Sequence, residues 1–142
     1  MTQRNLPAEQ ADLFTHLDGQ APGSIGGVFC AHVIEHMPPD ALARLAGAAF
    51  RVLRPGGVLL LETPNPACLA IFATYFYLDP THVRPVPAEF VSYLLQETGF
   101  QQVEVSGLHP AQEDFAGLKP LPDAFRQQFF GDLDYAVFAR KP

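Results

Sequence analysis

The chain has 142 residues, enough for one domain with its own core, and 48% of them are hydrophobic against 17% charged. A formal net charge of −6 with no basic stripe argues against a nucleic-acid partner. No apolar run approaches the roughly 20 residues of a membrane span, and the polar start (Thr2, Gln3, Arg4, Asn5) offers no signal-peptide core.

Residues 1–25 are polar and turn-rich, with one apolar cluster at Leu13, Phe14 and Leu17. Gly26 to Val33 is a nearly continuous run of small apolar residues, the pattern of a strand buried on both faces. Pro38, Pro39 and Asp40 then open a helix. Its apolar face is Leu42, Leu45, Ala46, Ala49 and Leu53, and Arg51 and Arg54 fall in its last turn, where the helix dipole favours them. Pro55-Gly56-Gly57 stops it, and Val58 to Glu62 reads as a second buried strand. Strand, helix and strand joined by short turns make a right-handed βαβ unit with parallel strands.

Residues 68–87 are aromatic-rich and read as irregular. Pro87 and Glu89 open a further helix with Phe90, Val91, Leu94 and Leu95 on its apolar face, and Gly99 stops it. Val103 and Val105 alternate as in a half-buried strand. Residues 107–132 form a long insertion that includes Phe115, Leu118, Leu121, Phe125 and Phe129, with a short helix expected near 122–130. Leu133 to Arg140 is the last strand, with Leu133, Tyr135, Val137 and Ala139 on one face. The chain reads as a single α/β domain, 1–142, whose segment 1–25 is poorly defined. Cys30 and Cys68 have no metal-ligand spacing and apolar neighbours, which fits buried free thiols and a cytoplasmic location.

Three stretches carry a resemblance when taken in order: Val28 to Met37 (VFCAHVIEHM), Phe50 to Pro66 (FRVLRPGGVLLLETPNP) and Asp79 to Phe100 (DPTHVRPVPAEFVSYLLQETGF). Together they resemble the C-terminal part of class I S-adenosylmethionine-dependent methyltransferases of the small-molecule and sugar-modifying branch. The resemblance implies a Rossmann-like three-layer sandwich whose strands run in the order 3-2-1-4-5-7-6, with the last strand antiparallel. The four strands of this chain would be 4, 5, 6 and 7 of that order, an incomplete methyltransferase fold. No Gly-rich turn follows a strand before residue 26, so the GxGxG turn and the ribose-binding acid of the family have no counterpart here. The expected reading is therefore a truncated enzyme needing an N-terminal part for cofactor binding. Its rival is a non-catalytic remnant, or the sheet-completing partner of a split enzyme.

Site residues follow from the same stretches. By resemblance, Asp12 and Leu13 would meet the adenine of S-adenosylmethionine, and Ala31 and His32 its methionyl end, although Asp12 reads equally as a helix cap. Glu35 and His36, at the carboxyl edge of the sheet where α/β folds bind ligands, are the candidate catalytic pair, with His36 as general base on an acceptor hydroxyl. His32, Glu35 and His36 offer two imidazoles and a carboxylate, a set that suits a transition metal, but no metal site is assigned to them. Asn65, Tyr75, His82 and Arg84 are the candidate acceptor-binding residues, with Arg84 as a clamp for a phosphate or carboxylate or an ion-pair partner of Asp79. The expected partner is a small-molecule acceptor methylated on oxygen. A homo-oligomer, or pairing with a missing N-terminal segment, would complete the sheet; nucleic acid and membrane are not expected partners.

Overall fold

The computed structural model describes residues 8–111 and 116–142. Its elements, in chain order, are α1 (Leu13–Gly19), β1 (Ile25–Ala31), α2 (Pro39–Val52), β2 (Leu53–Pro64), α3 (Leu69–Ala73), α4 (Ala88–Thr98), β3 (Gln101–Pro110), α5 (Asp123–Phe129) and β4 (Asp132–Arg140). The sheet has the order β1-β2-β4-β3. β1 and β2 are parallel, and β4 runs antiparallel to both β2 and β3. This is the expected α/β sheet with its antiparallel last strand. Phe115 lies outside the described residues.

Period-two alternation sorts the sheet into two faces. Cys30 pairs with Leu61, and Leu61 with Val137, so these side chains share one face with Leu59, Tyr135 and Ala139. That face forms one core with Leu17 of α1, with Leu42, Leu45, Ala46, Ala49 and Val52 of α2, and with Val91 and Leu95 of α4. The other face carries Phe29, Leu60 and Phe138, none of which joins that core.

The expectation of a β1 buried on both faces is corrected here. β1 is an edge strand among the described residues, and Phe29 is 61% exposed. The strand also ends at Ala31, not Val33: His32 takes a left-handed φ of 53°, and Ile34–His36 turn into a 3-10 helix. Small apolar residues tolerate an edge as readily as a centre, so the run could not distinguish the two. Val105 is exposed for the same reason, because β3 is the opposite edge.

The Pro55-Gly56-Gly57 turn is a bulge in β2. Ile25 pairs with Leu53, but Gly27 already pairs with Val58. Gly56 has φ 76°, and a Cβ on Gly57 would lie 2.8 Å from the Arg54 carbonyl oxygen and 3.2 Å from that of Gly26. Only glycine lets two backbones approach this closely. Helix α2 ends at Val52, so Arg54 lies beyond its last turn. Lys141 caps that end: its Nζ donates to the carbonyls of Phe50 and Leu53 at 2.7 and 2.8 Å. Residues 68–87, expected to be irregular, contain α3 and a 3-10 turn at Tyr75–Leu78.

Candidate functional site

The carboxyl ends of β1 and β2 carry the polar cluster. As β1 ends, the left-handed backbone of His32 turns the chain, and Glu35 drops into the interior with no exposed surface. One carboxylate oxygen, Oε2, accepts from Thr63 Oγ1 at 2.8 Å. The other, Oε1, is buried without a hydrogen-bond donor among the described residues. His32 Nδ1 lies 3.3 Å from it, and His36 Nε2 lies 3.9 Å away, neither in hydrogen-bonding alignment. The other ring nitrogen of His32 faces Glu62 Oε1 at 3.6 Å.

The loop after β2 folds back on this turn. The amides of Val83 and Arg84 donate to the Glu35 carbonyl at 2.8 and 3.4 Å. This docking brings His82 against His36, with ring centroids 4.8 Å apart and edge to face. His36 Nδ1 is within hydrogen-bond distance of Thr81 O at 3.1 Å and Thr81 Oγ1 at 3.0 Å. Thr81 Oγ1 itself donates to Asp79 Oδ1. A carbonyl can only accept, so Nδ1 of His36 carries a proton, and in the neutral ring Nε2 keeps the lone pair. His82 Nδ1 lies 2.6 Å from Phe76 O, which assigns it the same tautomer. Hydrogen bonds from the hydroxyl and amide of Thr81 hold the Asp79 carboxyl below the usual range.

Glu35, His36 and His82 are thus brought together, with His32 beside them; His82 was expected at an acceptor site rather than in this cluster. Ala31 sits exposed at the end of β1, opposite Glu62. Asn65 is committed to its loop: Nδ2 donates to Asp132 O at 3.0 Å, and Oδ1 accepts from the Ala67 amide at 3.0 Å. It also lines a cavity of about 300 Å³ with Pro66, Phe72, Pro87 and Glu89. Tyr75 is 44% exposed beside that region of chain. Arg84 stacks over the Phe90 ring at 4.9 Å, and Asp79 pairs with Thr81 and His82 rather than with Arg84. Asp12 caps α1, its Oδ1 accepting from Thr15 N and Oγ1, both at 2.8 Å. Leu13 lines a cavity of about 240 Å³ with Glu9, Ala11 and His16.

Sequence reasoning missed Thr63, Glu62, Thr81 and Tyr135. Thr63 had a signal, since it continues the alternation of Leu59 and Leu61 on the core face and needs a polar partner there. Tyr135 was placed on the correct face, but not its hydroxyl, which donates to Val86 O at 2.8 Å and pins the same loop. Cys30 and Cys68 are buried free thiols, and burial pushes the Cys30 pKa up. No helix among the described residues is long and apolar enough to cross a membrane.

Comparison with known proteins adds four similarities. A family model described as a methyltransferase domain matches residues 3–105. A probable S-adenosylmethionine-dependent methyltransferase of Mycolicibacterium smegmatis is 35% identical over 85 residues, covering 60% of this chain and 32% of that protein. A ubiquinone biosynthesis O-methyltransferase of Xanthomonas euvesicatoria is 30% identical over 142 aligned residues, covering 89% of this chain and 53% of that protein. The solved structure of a SAM-dependent methyltransferase from Archaeoglobus fulgidus superposes with a TM-score of 0.83 at 24% identity, over 94% of this chain and 66% of its own. The chain thus spans between about a third and a half of the length of these two curated relatives.

Proposed function

The chain belongs to the class I S-adenosylmethionine-dependent methyltransferase family, and from that premise we propose that it serves methyl transfer to an oxygen of a small acceptor. The observation that carries this reading is the buried Glu35 with His36 pinned by Thr81, set at the carboxyl edge of the sheet. The similarity to O-methyltransferases supports oxygen as the receiving atom.

The residues present suit two ends of the cofactor. Leu13 and its neighbouring cavity offer an apolar seat beside the Asp12 carboxylate for an adenine, and Ala31 and His32 lie at the open end of β1 for the methionyl part. S-adenosylmethionine, when bound, supplies a methyl group on a positively charged sulfonium, a reaction in which positioning accounts for most of the rate. His36 presents Nε2 as a lone-pair nitrogen and activates the acceptor hydroxyl. Thr81 holds that ring in place. The cavity beside Asn65, Phe72 and Pro87 takes the apolar body of the acceptor. The buried free thiols fit a cytoplasmic setting.

A second reading rests on the free edge of β1 and the exposed Phe29. In it the chain completes its sheet with a strand from elsewhere and is a non-catalytic partner until it does.

Calorimetric titration with S-adenosylhomocysteine separates these readings. Weak binding by this chain, tightened when a Gly-rich strand-turn segment is supplied to β1, supports the methyltransferase reading. No binding in either form overturns it in favour of the non-catalytic one.

A further inference from the structure

We infer that Glu89 marks a binding site for an organic cation, whose apolar body is seated beside that carboxylate. Two open cavities meet at the first turn of α4. One, of about 300 Å³, has Asn65, Pro66, Phe72 and Pro87 in its wall. The other, of about 380 Å³, lies between α4 and β3 and has Ser92, Tyr93, Gln96 and Val105 in its wall. Ala88 and Glu89 belong to both. Among the described residues, Glu89 is the one charged side chain that lines either cavity. No basic side chain among the described residues pairs with it: Arg84, the nearest in the chain, lies over the Phe90 ring at 4.9 Å.

The surroundings fit a cation and not an anion. Phe72 is 50% exposed and Tyr93 is 60% exposed, so each cavity has one aromatic side chain open to a ligand. A carboxylate beside open aromatic rings holds an ammonium group through charge and through the ring quadrupole. In the first cavity the other polar side chain is Asn65, and its amide is engaged at both ends by its own loop. Glu89 therefore sets the polarity there. The helix dipole is positive at the first turn of α4 and suits the negative charge of Glu89. An anion drawn to the same turn would face that carboxylate. The Glu89 charge is also felt within the fold: burial, then Glu89, then Glu35 raise the pKa of the Tyr135 phenol, which pins Val86 just before Pro87. The inference rests on reading the first cavity as the seat of the acceptor body. Segment 81–87 holds His36 through Thr81 at one end and enters that cavity with Pro87 at the other. The acceptor class it specifies is a hydroxylated organic amine, whose ammonium group meets Glu89 while its hydroxyl is left for His36.

The test titrates three phenols that differ in side-chain charge into the isotope-labelled 142-residue chain at low ionic strength, read by amide chemical shifts. They are tyramine, para-ethylphenol and para-hydroxyphenylpropanoate. Tyramine should bind about fivefold or more tighter than para-ethylphenol, with shifts at Ala88, Glu89 and Ser92, and the propanoate should bind weakest. Added salt should narrow the preference. Glu89→Gln should abolish it while leaving para-ethylphenol unaffected, and Glu89→Lys should turn it toward the propanoate. Tyr93→Ala should weaken tyramine, whereas Glu97→Gln, on the same helix but lining neither cavity, should change nothing. Glu89 is exposed, so its variants keep the fold, which the same spectra check. No tyramine binding at millimolar concentration, equal affinity for the three phenols, or shifts confined to residues away from Ala88, Glu89 and Ser92 would each overturn the proposal. A preference that survives Glu89→Gln would also overturn it and leave Glu89 as a complement to the helix dipole only. No cofactor enters the titration, so binding of S-adenosylhomocysteine, measured separately, distinguishes failure of this site from failure of the methyl-transfer reading.

Discussion

Thr63 Oγ1 donates to Glu35 Oε2 across 2.8 Å, and both side chains are sealed from solvent. This bond is the one hydrogen bond that the Glu35 carboxylate receives among the described residues. Thr63→Val keeps the shape and removes the donor. It should lower stability by about 1–3 kcal/mol, because a buried carboxylate oxygen is left unpaired. Urea denaturation measures this, and an unchanged midpoint would show that water reaches Glu35.

Tyr135 links folding to alkaline pH. Burial, then the charges of Glu89 and Glu35, raise its phenol pKa well above the ordinary value of 10.0. The folded state therefore holds this proton more tightly than the unfolded state. Its contribution is full below about pH 10 and is lost as pH rises toward the folded-state pKa. Stability measured by urea denaturation should fall between about pH 9.5 and 11, and Tyr135→Phe should remove part of that slope. At pH 7 the same variant should cost about 1 kcal/mol, since Val86 O loses its donor.

Gly57→Ala tests the bulge at Pro55–Gly57. The added Cβ would stand 2.8 Å from Arg54 O, against backbone that cannot swing aside. A loss of about 1–3 kcal/mol is expected. Gly47→Ala, whose new Cβ would meet nothing within 4 Å in helix α2, should instead gain some tenths of a kcal/mol. Thermal melts of the two variants should shift in opposite directions.

In a form of the protein that turns over, His36→Ala should reduce kcat by about 10²-fold or more while leaving cofactor affinity nearly unchanged. Unchanged turnover would confine His36 to holding the loop at Thr81.

The edge of β1 should associate. His32 N faces β2, bonding Glu62 O at 2.9 Å, so by alternation the amides of Ala31, Phe29 and Gly27 face outward. An apolar edge strand with no proline or lysine is a template for pairing. Sedimentation should show concentration-dependent self-association, and Phe29→Lys should suppress it. A monomer at micromolar concentrations, with those three amides unprotected in hydrogen exchange, would refute it.

Much of the fold was legible in the residues themselves. The helical spacing of Leu42, Leu45, Ala46 and Ala49, the stop at Gly99 and the alternation through Tyr135, Val137 and Ala139 all depend on local periodicity, and each appears in place. The Pro-Gly-Gly turn was legible because left-handed φ and close backbone approach are properties of glycine alone. The pairing of Glu35 with His36 was legible because they are adjacent in the chain.

Long-range geometry was not. Nothing near His82 in the sequence indicates that Val83 and Arg84 bond the Glu35 carbonyl 48 and 49 residues back, or that this sets the two imidazoles side by side. Nor does a run of small apolar residues reveal whether it will be central or at an edge, since both positions accept the same side chains. The sequence by itself determined the elements, the α/β class and the residue types of the site, because these rest on short-range sterics and periodicity. Only the tertiary structure decided that β1 ends at Ala31 with Phe29 exposed, that His32 turns to Glu62, and that Glu35, His36 and His82 converge. Those outcomes depend on which distant backbone groups satisfy one another once the core has closed.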